Sequence, residues 1–166
     1  MIRHKIYARH YAVDINDRLD IPLIKKCVRV SLDSEEVETP CEVSVLITND
    51  LVIKEINREF RGIETPTDVL SFPMQQFSEA GWNNRICDEF EDIDPETGLV
   101  PLGEIVLSAE RVAAQASGFG HRPERETAYL TVHSVLHLLG YDHLDEAAGK
   151  RNMREREEQI LKEIGF

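Results

Sequence analysis

The clearest alternation of apolar and polar positions along the chain runs from Cys41 to Ile47. Alternation with a period of two is typical of a strand that buries one face, so this segment predicts a strand of the core. A weaker alternation over residues 5–13 and two short apolar runs, Asp68–Phe72 and Gly103–Leu107, predict three more strands. The sequence therefore predicts a sheet of about four strands.

Apolar residues recur at helical spacing in the segments between and after these strands. Capping residues and prolines mark where these segments begin as helices. The predicted helices start near Asp20, Asn49, Ser108, Pro123 and Asp145. Together the patterns predict an α+β fold, a single domain over residues 1–166 in which a small mixed sheet packs with about five helices.

Residues 75–100 depart from this pattern, because they are polar and strongly acidic over a long stretch. A stretch of this length without apolar periodicity predicts an acidic flexible loop rather than part of the core.

Composition, cysteine count and net charge limit the classes of protein to which this chain can belong. The 166 residues are 42% hydrophobic, with no apolar run long enough to cross a membrane and no apolar signal segment after Met1. The three cysteines form an odd set without metal-binding spacing, so we expect a reduced, cytoplasmic protein with no membrane partner. The net charge of −12 argues against indiscriminate binding to nucleic acid, and we expect no DNA partner, although a local basic cleft remains compatible with it.

The strongest chemical signal lies in the predicted helix that begins at Pro123. His133 and His137 are four residues apart, and residues at this spacing are neighbours on one helix face. Gly140 then ends the helix, and His143 follows after the turn. Three histidines with an open fourth position are typical of a catalytic zinc site. Imidazoles in a helix this apolar would otherwise need other polar partners, so a metal site is favoured over coincidence.

The spacing H-x3-H-x5-H is also that of the metzincin proteases, which place a glutamate after the first histidine as the general base. This chain has Ser134 there, and serine cannot take that role at neutral pH. The ligand spacing therefore matches while the protease base is absent.

The segment from His133 to His143, HSVLHLLGYDH, closely resembles the signature of the YbeY family of metal-dependent endoribonucleases, which usually has glycine where this chain has Ser134. Two further blocks are similar to the family: residues 56–73, and residues 102–105, where Glu104 stands in place of the commoner aspartate. The similarity extends over roughly residues 41–165.

The resemblance implies one zinc ion per chain bound by His133, His137 and His143, and a cleft lined by Arg61. It implies a single-strand-specific endoribonuclease that acts in 16S rRNA 3′-end maturation and ribosome quality control, with rRNA, the small ribosomal subunit and ribosomal proteins as partners. Arg61 and His133 are then the predicted catalytic residues, His133 through activation of water at the metal. Asp142 is a candidate to support the metal ligands, since metal-bound histidines usually donate their other N–H to a carboxylate or carbonyl, and a turn residue is its alternative interpretation. His121 is a candidate to support the site by binding substrate or transferring a proton, and a helix cap is its alternative interpretation.

Two other functions stay open from the sequence. One is a zinc metallopeptidase related to the metzincins, and the other is a non-catalytic ribosome assembly factor whose metal holds the fold. The negative charge also predicts weak intrinsic RNA binding, because phosphate contacts normally supply much of the affinity.

Overall fold

The computed structural model of the chain describes residues 2–76, 93–141 and 146–166, and for residues 146–151 it describes the backbone alone. Within these residues, four strands form one sheet in the order β1-β2-β4-β3. The strands are β1 (Lys5–His10), β2 (Cys41–Thr48), β3 (Val69–Pro73) and β4 (Val100–Ser108). The pairs β1/β2 and β2/β4 are parallel, whereas β3 is antiparallel to β4 and forms one edge. The predicted mixed sheet is confirmed.

Five α-helices accompany the sheet in the described part of the chain, and the predicted α+β class is confirmed. They are α1 (Ile21–Ser34), α2 (Asp50–Arg61), α3 (Ala109–Phe119), α4 (Pro123–Leu138) and α5 (Glu146–Ile164). The predicted caps form: the side chains of Asp20, Asn49 and Ser108 accept hydrogen bonds from backbone N–H groups in the first turns of α1, α2 and α3. None of the described helices has the length and apolarity needed to span a membrane.

The two faces of the sheet differ in what covers them. One face packs against α1 and α4 to form the main core, and α5 closes a second apolar cluster against the far side of α4. On the other face α2 covers only one part, through Ile53 packed on Leu70 and Val106. The helix that carries the histidines is therefore held between the sheet and α5, as its apolar sequence predicts.

The structure differs from the sequence-based boundaries at several ends of elements: β1 ends at His10 rather than at residue 13, and β3 is shifted by one residue to Val69–Pro73. β4 begins at Val100 rather than Gly103, because parallel pairing with β2 continues past a bulge to Cys41. α2 runs through Arg61, whereas the sequence predicted a loop over residues 61–67, because the left-handed Gly62 ends the helix one residue later than expected. Most of the predicted acidic loop, residues 77–92, lies outside the described residues.

Candidate metal centre

His133 and His137 share the one face of α4 that reaches solvent. Most of the helix is buried from Glu126 to Leu138, whereas these two side chains remain partly exposed. Their Nε2 atoms lie 3.1 Å apart, and their rings meet edge to face. The two imidazoles are therefore neighbours, as their spacing on one helix predicts.

The other ring nitrogen of each histidine faces an acceptor. Nδ1 of His133 lies 2.6 Å from Oε1 of Glu157, and Nδ1 of His137 lies 2.8 Å from the carbonyl oxygen of Tyr141. A carboxylate and a carbonyl can only accept, so both Nδ1–H groups donate in the neutral rings. Each Nε2 then carries the lone pair of its ring, and these are the two nitrogens that lie 3.1 Å apart.

This arrangement fits a metal ion. Two nitrogen ligands that each lie about 2.0–2.1 Å from one zinc ion can be at most about 4.1 Å apart, and the observed 3.1 Å falls within that limit. Two lone pairs that face each other are unfavourable unless a cation or a proton lies between them. Among the described residues no group of three or more His, Cys, Asp or Glu side chains could hold a metal, so the pair is the part of the site that the structure describes.

Arg61 lies in the same pocket as the two histidines. The pocket has a volume of about 450 Å³, and its wall includes Ser71 and Pro73 of the edge strand β3. Arg61 is the last residue of α2, which Gly62 ends in the left-handed conformation (φ 68°). Asn57 then donates to the carbonyl oxygen of Thr65 at 2.9 Å, which ties the following loop to α2. The end of α2 thus places Arg61 in the wall of the pocket that both histidines line.

The family model that describes Endoribonuclease YbeY matches residues 6–165. The chain belongs to the YbeY family. It is 43% identical to the Endoribonuclease YbeY of Lachnoclostridium phytofermentans over 91% of this chain and 90% of that one. It is 44% identical to the protein of that name from Clostridium kluyveri, over 93% and 94% of the two chains. The solution structure of TM1509 from Thermotoga maritima aligns with a TM-score of 0.58 at 25% identity, covering 95% of this chain and 88% of that one.

The other residues predicted for the YbeY site are not all in this pocket. Asp142 and His143 lie outside the described residues, so their roles stay predictions. His121 lies in a second pocket of about 310 Å³, whose lining also includes Glu126, Tyr129 and Glu157. Burial raises the pKa of the Glu126 carboxyl above its usual range.

Sequence reasoning missed Glu157, the residue that orients His133. Glu157 lies on α5, is 5% exposed, and comes four residues after Met153 and three before Ile160, both of which are buried. It therefore occupies a core-facing position of an amphipathic helix. A carboxylate at a core-facing position could have indicated that Glu157 has a charged or metal-binding partner, because buried charges are usually paired or bind metal.

A second contact of α5 supports His137 indirectly. Arg156 binds the buried carboxylate of Glu35 at 2.6 Å, and the same carboxylate accepts a 2.7 Å hydrogen bond from the hydroxyl of Tyr141. Burial, followed by this hydrogen bond to Glu35, raises the pKa of the Tyr141 hydroxyl above its usual range. The carbonyl oxygen that accepts the hydrogen bond from His137 thus belongs to Tyr141, whose side chain is itself held by Glu35.

Proposed function

We propose that this chain is a single-strand-specific, zinc-dependent endoribonuclease that acts in 16S rRNA 3′-end maturation and ribosome quality control. The observation that carries the proposal is the pair of Nε2 atoms 3.1 Å apart beside Arg61, with both Nδ1 atoms held by acceptors. The names of the relatives, Endoribonuclease YbeY, support RNA as the substrate.

In this proposal His133 and His137 hold one zinc ion per chain, with His143 as the third ligand expected from the sequence. Bound zinc supplies Lewis acidity to a phosphoryl oxygen and lowers the pKa of a coordinated water to about 7. Glu157 and the carbonyl of Tyr141 keep the imidazoles in the tautomer that presents Nε2. Both imidazoles are then oriented before the metal binds.

Arg61 is proposed to bind the scissile phosphate. Either attack by water or attack by a ribose 2′-hydroxyl increases negative charge on the phosphate oxygens, and a guanidinium fork can donate two parallel hydrogen bonds to them. The side chain shares the pocket with both histidines and forms no ion pair among the described residues. Its charge is therefore available to the substrate.

Ser134 weakens the metallopeptidase alternative. Its side chain is completely buried on the core side of α4, and it does not line the histidine pocket. A general base must come within hydrogen-bonding reach of the proton that it removes. The residue at the position of the protease glutamate is therefore turned away from the site.

The experiment is to measure zinc content and cleavage of single-stranded rRNA fragments in the unsubstituted protein, His137→Ala and His121→Ala. We expect about one zinc per chain, with both zinc and cleavage lost in His137→Ala. His121→Ala is the matched control, because this histidine lies in the other pocket. Zinc binding with no cleavage, even when small ribosomal subunits are added, would favour the assembly factor with a structural metal. Chelator-sensitive cleavage of casein would favour the metallopeptidase.

The charge of −12 adds a proposal about partners. Because phosphate contacts supply much of the affinity for RNA, an acidic enzyme gains by recognising its substrate on the small ribosomal subunit and its proteins. We propose that the protein acts there, in the cytoplasm. Cleavage of subunit-bound rRNA should then be faster than cleavage of the same sequence free in solution.

A further inference from the structure

The open face of the sheet carries one row of side chains that runs across all four strands. Tyr7 of β1 is in register with Ser44 of β2, Ser44 with Glu104 of β4, and Glu104 with Phe72 of β3. Neighbouring strands are about 4.8 Å apart, so the aromatic residues at the two ends are about 14 Å apart. The side chains of Ser44 and Glu104, which can form hydrogen bonds, thus lie between the rings of Tyr7 and Phe72.

This row forms the floor of a groove of about 610 Å³. Phe60 of α2 stands at one end and meets Phe72 edge to face, with 5.2 Å between ring centroids. Phe60 is 66% exposed and Tyr7 is 50% exposed. These two exposed rings share the groove with the partly buried Phe72, so they form one contiguous apolar surface, which is the kind of surface that marks a binding site.

The groove contains two cations and one anion. Arg9 and Lys25 lie along the side of β1, and neither is in an ion pair with another described residue. Glu104 lies in the floor. In a chain with a net charge of −12, a groove with a local excess of positive charge is complementary to phosphate. A carboxylate in the floor can accept hydrogen bonds from the amino groups of bases.

The groove and the histidine pocket lie on opposite faces of the edge strand β3. Phe72 lines the groove, whereas its neighbours Ser71 and Pro73 line the histidine pocket. The same division occurs at the end of α2, where Phe60 faces the groove and Arg61 faces the histidines. A flexible strand that leaves the pocket over this edge would enter the groove directly.

We infer that the groove binds the bases of single-stranded RNA a few nucleotides away from the scissile phosphate, an inference that rests on the proposed function. Bases stack on Tyr7 and on the Phe60–Phe72 pair, the backbone follows Arg9 and Lys25, and Ser44 and Glu104 contact base edges. Aromatic side chains on the open face of a four-stranded sheet are a recurrent way of binding single-stranded RNA. The site extends the enzyme's contact with its substrate without entering the catalytic pocket.

The test compares the double variant Tyr7→Ala/Phe60→Ala with Phe119→Ala. Phe119 is the matched control, because it is 67% exposed and, like Phe60, lies at the C-terminal end of a helix. It lies outside the groove. Binding of a fluorescent single-stranded 12-nucleotide RNA is measured by anisotropy. Cleavage is measured on that RNA and on a trinucleotide too short to reach the groove.

We expect the double variant to bind the 12-nucleotide RNA at least tenfold more weakly, since one stacked base contributes a factor of about ten or more. Cleavage of the trinucleotide should stay unchanged, and Phe119→Ala should resemble the unsubstituted protein. Arg9→Ala should reduce the slope of log K against log salt by about 0.7, the contribution of one phosphate contact to a single strand.

Unchanged affinity in the double variant would overturn the inference, and so would an equal loss in Phe119→Ala. Loss of binding to a ribosomal protein with RNA binding intact would also overturn it, because the groove would then be a protein interface. Failure of the unsubstituted protein to cleave either RNA would instead count against the proposed function. The two failures are therefore distinguishable.

Discussion

Replacement of Glu157 by glutamine tests whether the carboxylate sets the metal affinity of the site. The substitution keeps the size and helix propensity of the side chain but removes its charge. The contact with Nδ1 of His133 is 2.6 Å long, and Glu157 and His133 have side chains only 6% and 18% exposed, so solvent screens their interaction little.

The magnitude follows from the type of hydrogen bond. A hydrogen bond to a charged group contributes about 1.5–3 kcal/mol, and one between neutral groups about 1 kcal/mol. The difference is on the order of 1.4 kcal/mol, which corresponds to about a tenfold weaker zinc affinity. Because the amide can also turn its NH₂ group toward Nδ1 and favour the wrong tautomer, the loss can approach the hundredfold effects known for groups that orient metal ligands.

The assay is competition for zinc with a chromophoric chelator, paired with ¹⁵N NMR of the imidazoles in metal-free protein. Glu157→Gln should weaken zinc binding by about 10- to 100-fold and populate a second tautomer of His133. Glu158→Gln, at the next and exposed position of α5, should change neither quantity. Equal zinc affinity and an unaltered tautomer in Glu157→Gln would refute the role of the carboxylate, provided that urea unfolding shows the fold intact.

Three further substitutions, the last with a control, test the site and the packing around it. Ser134→Ala removes a buried hydroxyl that has no hydrogen-bond partner among the described residues, so the free energy of unfolding measured in urea should rise by about 1 kcal/mol, with cleavage unchanged. Gly103→Ala places a Cβ 2.5 Å from a carbonyl oxygen of β3 and 2.6 Å from a leucine of α4, at a φ of 154°, so it should lower that free energy by about 2–4 kcal/mol; a value near zero would mean that the histidine helix can shift at no cost. Arg61→Ala should reduce kcat/KM for RNA by about 100-fold, comparable to the loss of one donor to transition-state charge, without loss of zinc. Arg58→Ala, three residues earlier and paired with Glu55, should retain full activity.

The sequence predicted those parts of the fold that depend on local periodicity. β2 alternates between buried and less buried residues as its sequence does, and the caps at Asp20 and Asn49 form as expected. The start of β4 could not be placed in this way, because its first residues are added by pairing with a strand about sixty positions earlier in the chain. Pairing between distant strands leaves no periodic trace in either segment alone.

In the candidate site, too, contacts within one helix could be predicted, whereas a contact between distant segments could not. The approach of His133 to His137 follows from their spacing on one helix, so it was predictable from that spacing alone. The hydrogen bond that orients His133 was not, because Glu157 is 24 positions away along the chain. Spacing determines which side chains can meet, whereas the tertiary packing determines which nitrogen each presents.

Both orienting contacts depend on adjacent residues of α5. Glu157 binds His133 directly, while Arg156 acts on His137 through the carboxylate of Glu35 and the hydroxyl of Tyr141. Consecutive helical residues point about 100° apart, so these two side chains can reach different partners from one helix. The apolar residues of α5 hold that helix against α4. The apolar pattern of the last helix, which by itself indicates only packing, therefore fixes the geometry of the proposed metal ligands as well.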